Sequence, residues 1–360
     1  MTAKGLLRFG LRAGRTWFGR LPRPYKLTFA ITKKCNLRCA SCNIWAQQSA
    51  DELSLEEIDT FFSRNSEISW LDLTGGEVML RPDFHEIIRS AARNLPCLFQ
   101  FHFPTNGTFP ERTYESTRVA VSLGFPKVVV SISIDGPALL HDELRSKSGT
   151  WDLAVETYER IKSIPRADAY FGMTLTERNL PFLFDTLDAL ASRIPGLRAK
   201  DLHLNLAHDT FYYGNPSITP LGTREVAEKL SRFMKLRGLP LSPILLLEWL
   251  YQRKIPEYLD TGTSPYPCEA LSSSLFIAAN GDIYPCSSYD RKLGNLRNMD
   301  FDYGPLWECR STVELSRDIK HGVCPGCWTP CEAYQTIVAC LPKPKMWRGH
   351  NKGAGKRAAR

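Results

Sequence analysis

Six β-rich apolar runs separated by helical patterns constrain this chain more than any other feature. They are Tyr25-Thr32, Trp70-Leu73, Leu98-Phe103, Lys127-Ile134, Ala169-Thr176 and Leu202-Leu206. Strands that alternate with helices pair in parallel, because each crossover helix returns the chain to the same end of the sheet. Right-handed βα units curl toward a barrel, and six are fewer than the eight that close one. The expected fold class is therefore α/β: a partial (β/α)6 TIM-like barrel, followed by a small C-terminal α+β module. Its loops at the strand C-termini should form the site. Ser54 with Glu57 reads as a capping box opening the first helix after strand one, and Asn179 as the N-cap of a helix through Leu190.

The 360 residues, 43% of them apolar, allow one large core plus a smaller module and exclude bulk disorder. No run of 18 apolar residues occurs, which excludes a transmembrane helix by sequence. The N-terminal apolar stretches are broken by Arg8, Arg12 and Arg15, so a secretory signal is not expected and the reading is cytoplasmic. In a reducing compartment eleven cysteines point to metal rather than to disulfides. Residues 1–50 carry ten Lys/Arg and no acid, and residues 343–360 carry seven and none, leaving the middle acidic. Lys4, Arg8, Arg12 and Arg15 recur at helical spacing beside Leu6, Leu7, Phe9, Leu11, Trp17 and Phe18, a pattern suited to peripheral contact with an anionic membrane.

Five segments follow: a basic amphipathic arm (1–24), the barrel core (25–206), a bridging region (207–267), a cysteine-rich domain (268–342) and a basic tail (343–360). Ala279-Asn280-Gly281-Asp282 reads as a hairpin turn inside the fourth.

Cys35-Asn-Leu-Arg-Cys39-Ala-Ser-Cys42 follows the first strand directly, placing three thiolates in one loop at the barrel mouth. Thiolates are the normal ligands of iron-sulfur clusters, and three of them leave one iron of a cubane open to a small molecule. A structural zinc knuckle would need a fourth Cys or His nearby, and apart from these three none occurs from Met1 through Phe84.

With these residues the chain resembles the radical S-adenosylmethionine (SAM) superfamily, whose hallmark is a CxxxCxxC loop after the first strand of a partial barrel. The resemblance covers about residues 25–340. Thr74-Gly75-Gly76-Glu77 resembles that family's GGE motif, which contacts the amino group of SAM; this implies that Gly75 and Gly76 let the protein backbone approach SAM and that Glu77 accepts from its ammonium. Thr105-Asn106-Gly107 and Ser133-Ile-Asp135-Gly136, with His141 and Arg145, follow strands three and four as in peptide-modifying members. By resemblance, Asn106, Ser133, Asp135 and Arg145 belong to the SAM site, Ser133 and Arg145 holding ribose and carboxylate. Ser41 stands where the family often has an aromatic residue, and Trp45 could serve instead.

The C-terminal cysteines resemble a twitch or shortened SPASM domain: Cys268, Cys286, Cys324 and Cys327 would hold one auxiliary [4Fe-4S] cluster, with Cys331 the rival ligand. Cys97 and Cys309 read as small buried hydrophobes. The resemblance implies a radical SAM oxidoreductase or maturase in which a [4Fe-4S] cluster, reduced by a ferredoxin or flavodoxin, cleaves SAM to a 5′-deoxyadenosyl radical for C–H abstraction. Other catalytic residues are unassigned. Peptides, small alcohols or sugars, and membrane-linked molecules all remain open as substrates. The rival from outside enzymology is a zinc-stabilised binding module with basic arms for nucleic acid or protein.

Overall fold

The computed structural model describes residues 3–47, 51–215 and 221–342, with side chains from residue 9 onward. Expectations for Lys4, Leu6, Leu7 and Arg8 and for the basic tail lie outside these side chains. Among the described residues one nine-stranded sheet is formed by β1 (Lys26–Thr32), β2 (Trp70–Gly75), β3 (Gln100–Thr105), β4 (Lys127–Ser133), β5 (Ala167–Leu175), β6 (Leu202–Leu206), β7 (Ser274–Ile277), β8 (Asp282–Tyr284) and β9 (Gly294–Asn295). Its order is β6-β5-β4-β3-β2-β1-β7-β8-β9, and β1 to β6 pair in parallel with their sequence neighbours. The six expected strands are all present. The expected mixed α/β fold with its parallel sheet and C-terminal module is the observed one.

Helices α1 (Ala3–Arg15), α2 (Leu55–Arg64), α3 (Phe84–Asn94), α4 (Pro110–Ser122), α5 (Ala138–Arg145), α6 (Thr150–Lys162) and α7 (Leu183–Arg193) belong to the first half. They are followed by α8 (Thr223–Arg237), α9 (Pro243–Arg253), α10 (Ile255–Thr261), α11 (Gly304–Glu308), α12 (Arg310–Lys320) and α13 (Pro330–Cys340). The capping box of α2 is formed: Glu57 N donates to Ser54 Oγ at 3.2 Å and Ser54 N to Glu57 Oε2 at 2.8 Å. Asn179 departs from expectation. It precedes a 3-10 turn, Leu180–Phe182, and α7 begins only at Leu183. Its side chain accepts from Thr176 N and donates to Thr174 O, closing the strand-to-helix turn instead of capping the helix.

The strands of the core are two-sided. Phe101, Phe103, Phe171 and Leu204, pointing outward, are fully buried under the helices. The alternate residues His102, Ser131, Tyr170, Thr174, His203 and Asn205 point inward and are only half-buried. A strand exposes alternate side chains to opposite faces, so this pattern describes a barrel whose interior is a polar chamber reached by solvent.

The cysteine-rich module has no separate sheet. β7 pairs in parallel with β1, Lys26 opposite Ser274, and turns back antiparallel into β8. Gly281, at φ +84°, makes that turn where a side chain would be strained. The bridging region supplies α8 to α10, and α9 packs on both β6 and α13. Glu248 of α9 is fully buried, accepting from Gln252 and Tyr334 and lying 3.5 Å from Arg237 of α8.

The N-terminal arm is docked on the protein. Phe9 stacks on Phe99 at 4.9 Å and meets the Tyr25 ring edge-on, Arg12 donates to Ser69 Oγ, and Trp17 Nε1 donates to Val338 O. These partners sit at the N-terminal ends of β1 to β3 and on α13, so α1 covers the barrel floor opposite the strand C-termini. Leu11 and Phe18 remain exposed. Among the described residues no helix is long and apolar enough to cross a membrane.

Candidate active site

The loop after β1 carries Cys35, Cys39 and Cys42, all free and half-buried at the C-terminal end of the sheet. Burial pushes the Cys35 thiol up to about 11, eased by the Leu37 N–H, with Cys39, Glu77 and Cys42 close enough to raise it further. Cys42 is raised mainly by burial as well, with Cys39 beside it and the Arg145 guanidinium pulling the other way. Three thiols within one another's fields disfavour three simultaneous negative charges unless a cation is supplied.

Arg145, at the end of α5, supplies one. Its Nη1 donates to Cys39 Sγ at 3.7 Å and its Nη2 lies 2.8 Å from Asp135 Oδ2, while the buried Nε has no hydrogen-bond partner. Burial would weaken this base, but Asp135 and Cys39 outweigh it and raise its pKa above the ordinary value. α5 also grips the loop through its backbone, Ala40 N donating to Leu144 O at 2.8 Å. Asp135 N donates to His141 Nδ1, and burial with Arg145 nearby lowers that imidazole to about 4. Ser133 ends β4 at the mouth.

The Gly75-Gly76-Glu77 segment faces the loop and not an open cavity. A Cβ on Gly75 would sit 2.1 Å from Thr32 O, and one on Gly76 2.2 Å from Lys34 O. The glycines are needed because the strand leading into the cysteine loop runs against them. Glu77 is fully buried: Oε1 accepts from Thr105 Oγ1 (2.9 Å) and Met79 N (3.1 Å), and Oε2 from Asn106 N (2.7 Å). Both oxygens are thus anchored within the protein, Oε1 by two donors and Oε2 by one. Asn106 similarly donates to Asn36 Oδ1 at 2.9 Å, tying the β3 loop to the residue after Cys35.

The loop after β6 clamps the same segment, a role the sequence did not reveal. Asn43 N donates to Tyr213 O, the Cys42 thiol reaches the same oxygen at 3.8 Å, and Asn215 Nδ2 donates to Ser41 O. The Tyr213 hydroxyl then lies 3.4 Å from Thr74 Oγ1, so this residue roofs the chamber. Trp45 donates to Cys42 O, and Arg38 covers its ring. His208 bonds Trp328 O and Tyr258 and serves packing.

In the C-terminal module Cys268, Cys286 and Cys327 raise one another, chiefly through burial and then through mutual charge with Glu332, and Cys324 acts on Cys327. Cys331 is set apart. Burial pushes its thiol up to about 11, and the charges it feels most are Lys26 and Asp72 of the barrel interior. Cys309 is half-buried at the start of α12, within 3.2 Å of Ser311 Oγ and Thr312 Oγ1, so it is no buried hydrophobe. Among the described residues no three His, Cys, Asp or Glu side chains gather tightly enough for a single ion. The thiols fall in two groups, one on the loop after β1 and one in the C-terminal module, and soft thiolates are the donors that iron-sulfur clusters take, so the residues present fit such clusters by their chemistry.

The profile of the Radical SAM superfamily matches residues 29–183, and that of the SPASM iron-sulfur cluster-binding domain matches residues 268–328. The antilisterial bacteriocin subtilosin biosynthesis protein AlbA of Bacillus subtilis is 24% identical, over 90% of this chain and 73% of its own. The AdoMet-dependent heme synthase of Oleidesulfovibrio alaskensis is 27% identical, over 84% and 81%. Among solved structures, Streptococcus suis SuiB bound to S-adenosylmethionine superposes with a TM-score of 0.60 at 13% identity, covering 83% of this chain and 68% of SuiB. The cofactors these domains take are SAM, a [4Fe-4S] cluster and auxiliary iron-sulfur clusters, and the zinc-stabilised alternative gains no support. The chain is a radical SAM superfamily enzyme with a SPASM iron-sulfur domain built onto the edge of its barrel.

Proposed function

We propose that this enzyme oxidises or cross-links a peptide by abstracting a hydrogen atom from carbon inside the barrel chamber. Cys35, Cys39 and Cys42 would hold the SAM-binding cluster, and Cys268, Cys286, Cys324 and Cys327 one auxiliary cluster. The clusters and SAM together supply the 5′-deoxyadenosyl radical when bound. The observation that carries the reading is the solvent-reached polar chamber lying beneath the three-cysteine loop. Arg145 balances the thiolate charge, Tyr213 and Asn36 hold the loop over the chamber, and α1 and α13 close its floor against water. A peptide is favoured because AlbA makes a bacteriocin and SuiB has been solved with its precursor peptide SuiA. The heme synthase relatives set the second candidate, a porphyrin. Reductant would come from a ferredoxin or flavodoxin.

The test is anaerobic reconstitution of the full chain, incubation with SAM, dithionite and deuterated candidate peptides, and mass analysis of 5′-deoxyadenosine. Deuterium in 5′-deoxyadenosine is the expected result. Its transfer only from deuterated porphyrin carboxylates would replace the peptide reading.

A further inference from the structure

We infer that Ser131, His102 and Asp72 form a proton relay in the chamber wall, which takes the proton of a substrate O–H or N–H next to the carbon that loses hydrogen. The inference rests on the functional reading above and narrows its substrate to a carbon bearing such a group.

The three residues come from adjacent strands. Asp72 of β2 stands opposite His102 of β3 in the parallel register, and β4 brings Ser131 alongside. His102 Nδ1 lies 3.1 Å from Asp72 Oδ1 and His102 Nε2 lies 3.0 Å from Ser131 Oγ. A carboxylate accepts only, so Nδ1 carries the hydrogen and Nε2 keeps the lone pair that receives the Ser131 hydroxyl. Asp72 is held ionised: burial opposes its charge, but Lys26 at 3.5 Å, His102 and the Trp70 N–H at 2.7 Å outweigh burial and lower its pKa. Asp72 from β2, Lys26 behind it on β1 and His203 on β6 are the charged or titratable groups nearest in effect, and Cys331, Glu332 and Tyr213 lie within the field of Asp72.

Position separates this array from a merely satisfied core network. Asp72 and Lys26 are buried, whereas His102 and Ser131 are half-buried toward the chamber. Thr74, two residues beyond Asp72 and about 7 Å along the strand, touches Tyr213, whose carbonyl lies under Cys42. The relay therefore lies below the loop from which the radical would start.

The chemistry balances. The substrate C–H hydrogen goes to the 5′-deoxyadenosyl radical, leaving a carbon radical beside O–H or N–H. As that radical gives its remaining electron to an oxidised iron-sulfur cluster, the O–H or N–H proton passes to Ser131 Oγ and the Ser131 proton to His102 Nε2. A C=O or C=N bond closes, and the imidazolium is left paired with Asp72.

Two measurements test this. In the full chain labelled with 15N-histidine and free of cluster, His102 is expected as the Nδ1–H tautomer, and Asp72→Asn should abolish that preference. An Nε2–H tautomer in the unsubstituted protein overturns the relay whatever the substrate proves to be. With a deuterated peptide that transfers deuterium, His102→Gln and Ser131→Ala should each lower the ratio of oxidised product to deuterated 5′-deoxyadenosine by about a hundredfold. An unchanged ratio overturns the relay while leaving hydrogen abstraction intact, and absence of deuterium transfer in the unsubstituted enzyme fails the functional reading instead.

Discussion

Glu77 shows how much of a buried carboxylate's hydrogen bonding can be met inside the protein. It ends the glycine pair at the mouth, and its two oxygens accept from Thr105, Met79 and Asn106. Replacing it with Gln presents an NH2 to donors, so at least one buried group loses its partner. Glu77→Gln should destabilise the fold by about 2 kcal/mol, read as a lower urea midpoint with unchanged slope. The cysteines make a cleaner prediction, because each group of thiols lies on its own segment. Substituting Cys35, Cys39 and Cys42 together by Ala should abolish SAM cleavage and leave about four irons per chain on the C-terminal set, measured by iron analysis after anaerobic reconstitution. Retained cleavage, or zinc in place of iron, would contradict the assignment.

At the scale of elements, the strand-to-loop junctions decide whether the site assembles. Gly76 has no room for a Cβ because the Lys34 and Lys33 carbonyls approach to 2.2 and 2.7 Å. Gly76→Ala must push the cysteine loop off the sheet edge, since the obstructing atoms are backbone. Such a variant should take up about half the iron of the parent, losing the charge-transfer absorption of the SAM-binding cluster while keeping that of the other. The first helix is legible as amphipathic, and its Phe9 packs against Tyr25, Phe99 and Trp70. Phe9→Ala should therefore cost about 3 kcal/mol, seen as a lower thermal midpoint.

Across the whole molecule, burial lowers three imidazoles, His141 on α5, His203 on β6 and His208 in the loop after it. Desolvation lowers the first two to about 4. In the unfolded chain both take up a proton near pH 6.5, whereas the folded chain refuses it until near pH 4. Stability should fall as pH drops through that window, by on the order of 2 kcal/mol per histidine, and level off below it. Urea denaturation at pH 7 and pH 5 measures the loss, and replacing His141 and His203 with Gln should remove most of it, His208 supplying the remainder.

Much of this architecture is written locally. The six strands follow from period-two apolar runs, the α2 cap from Ser54 and Glu57, and the three-thiol loop from cysteine spacing, because each depends on residues a few positions apart. Polar residues at alternate positions, such as Gln100 and His102 or His203 and Asn205, were also a readable sign of a wet barrel interior. What faces what was not readable. That β7 docks on β1, that Cys331 lies within the field of Lys26 and Asp72, and that Asp72, His102 and Ser131 meet are set by strand register and barrel curvature. Those quantities arise from pairing between segments tens to hundreds of residues apart, where a shift of one residue sends every side chain to the other face.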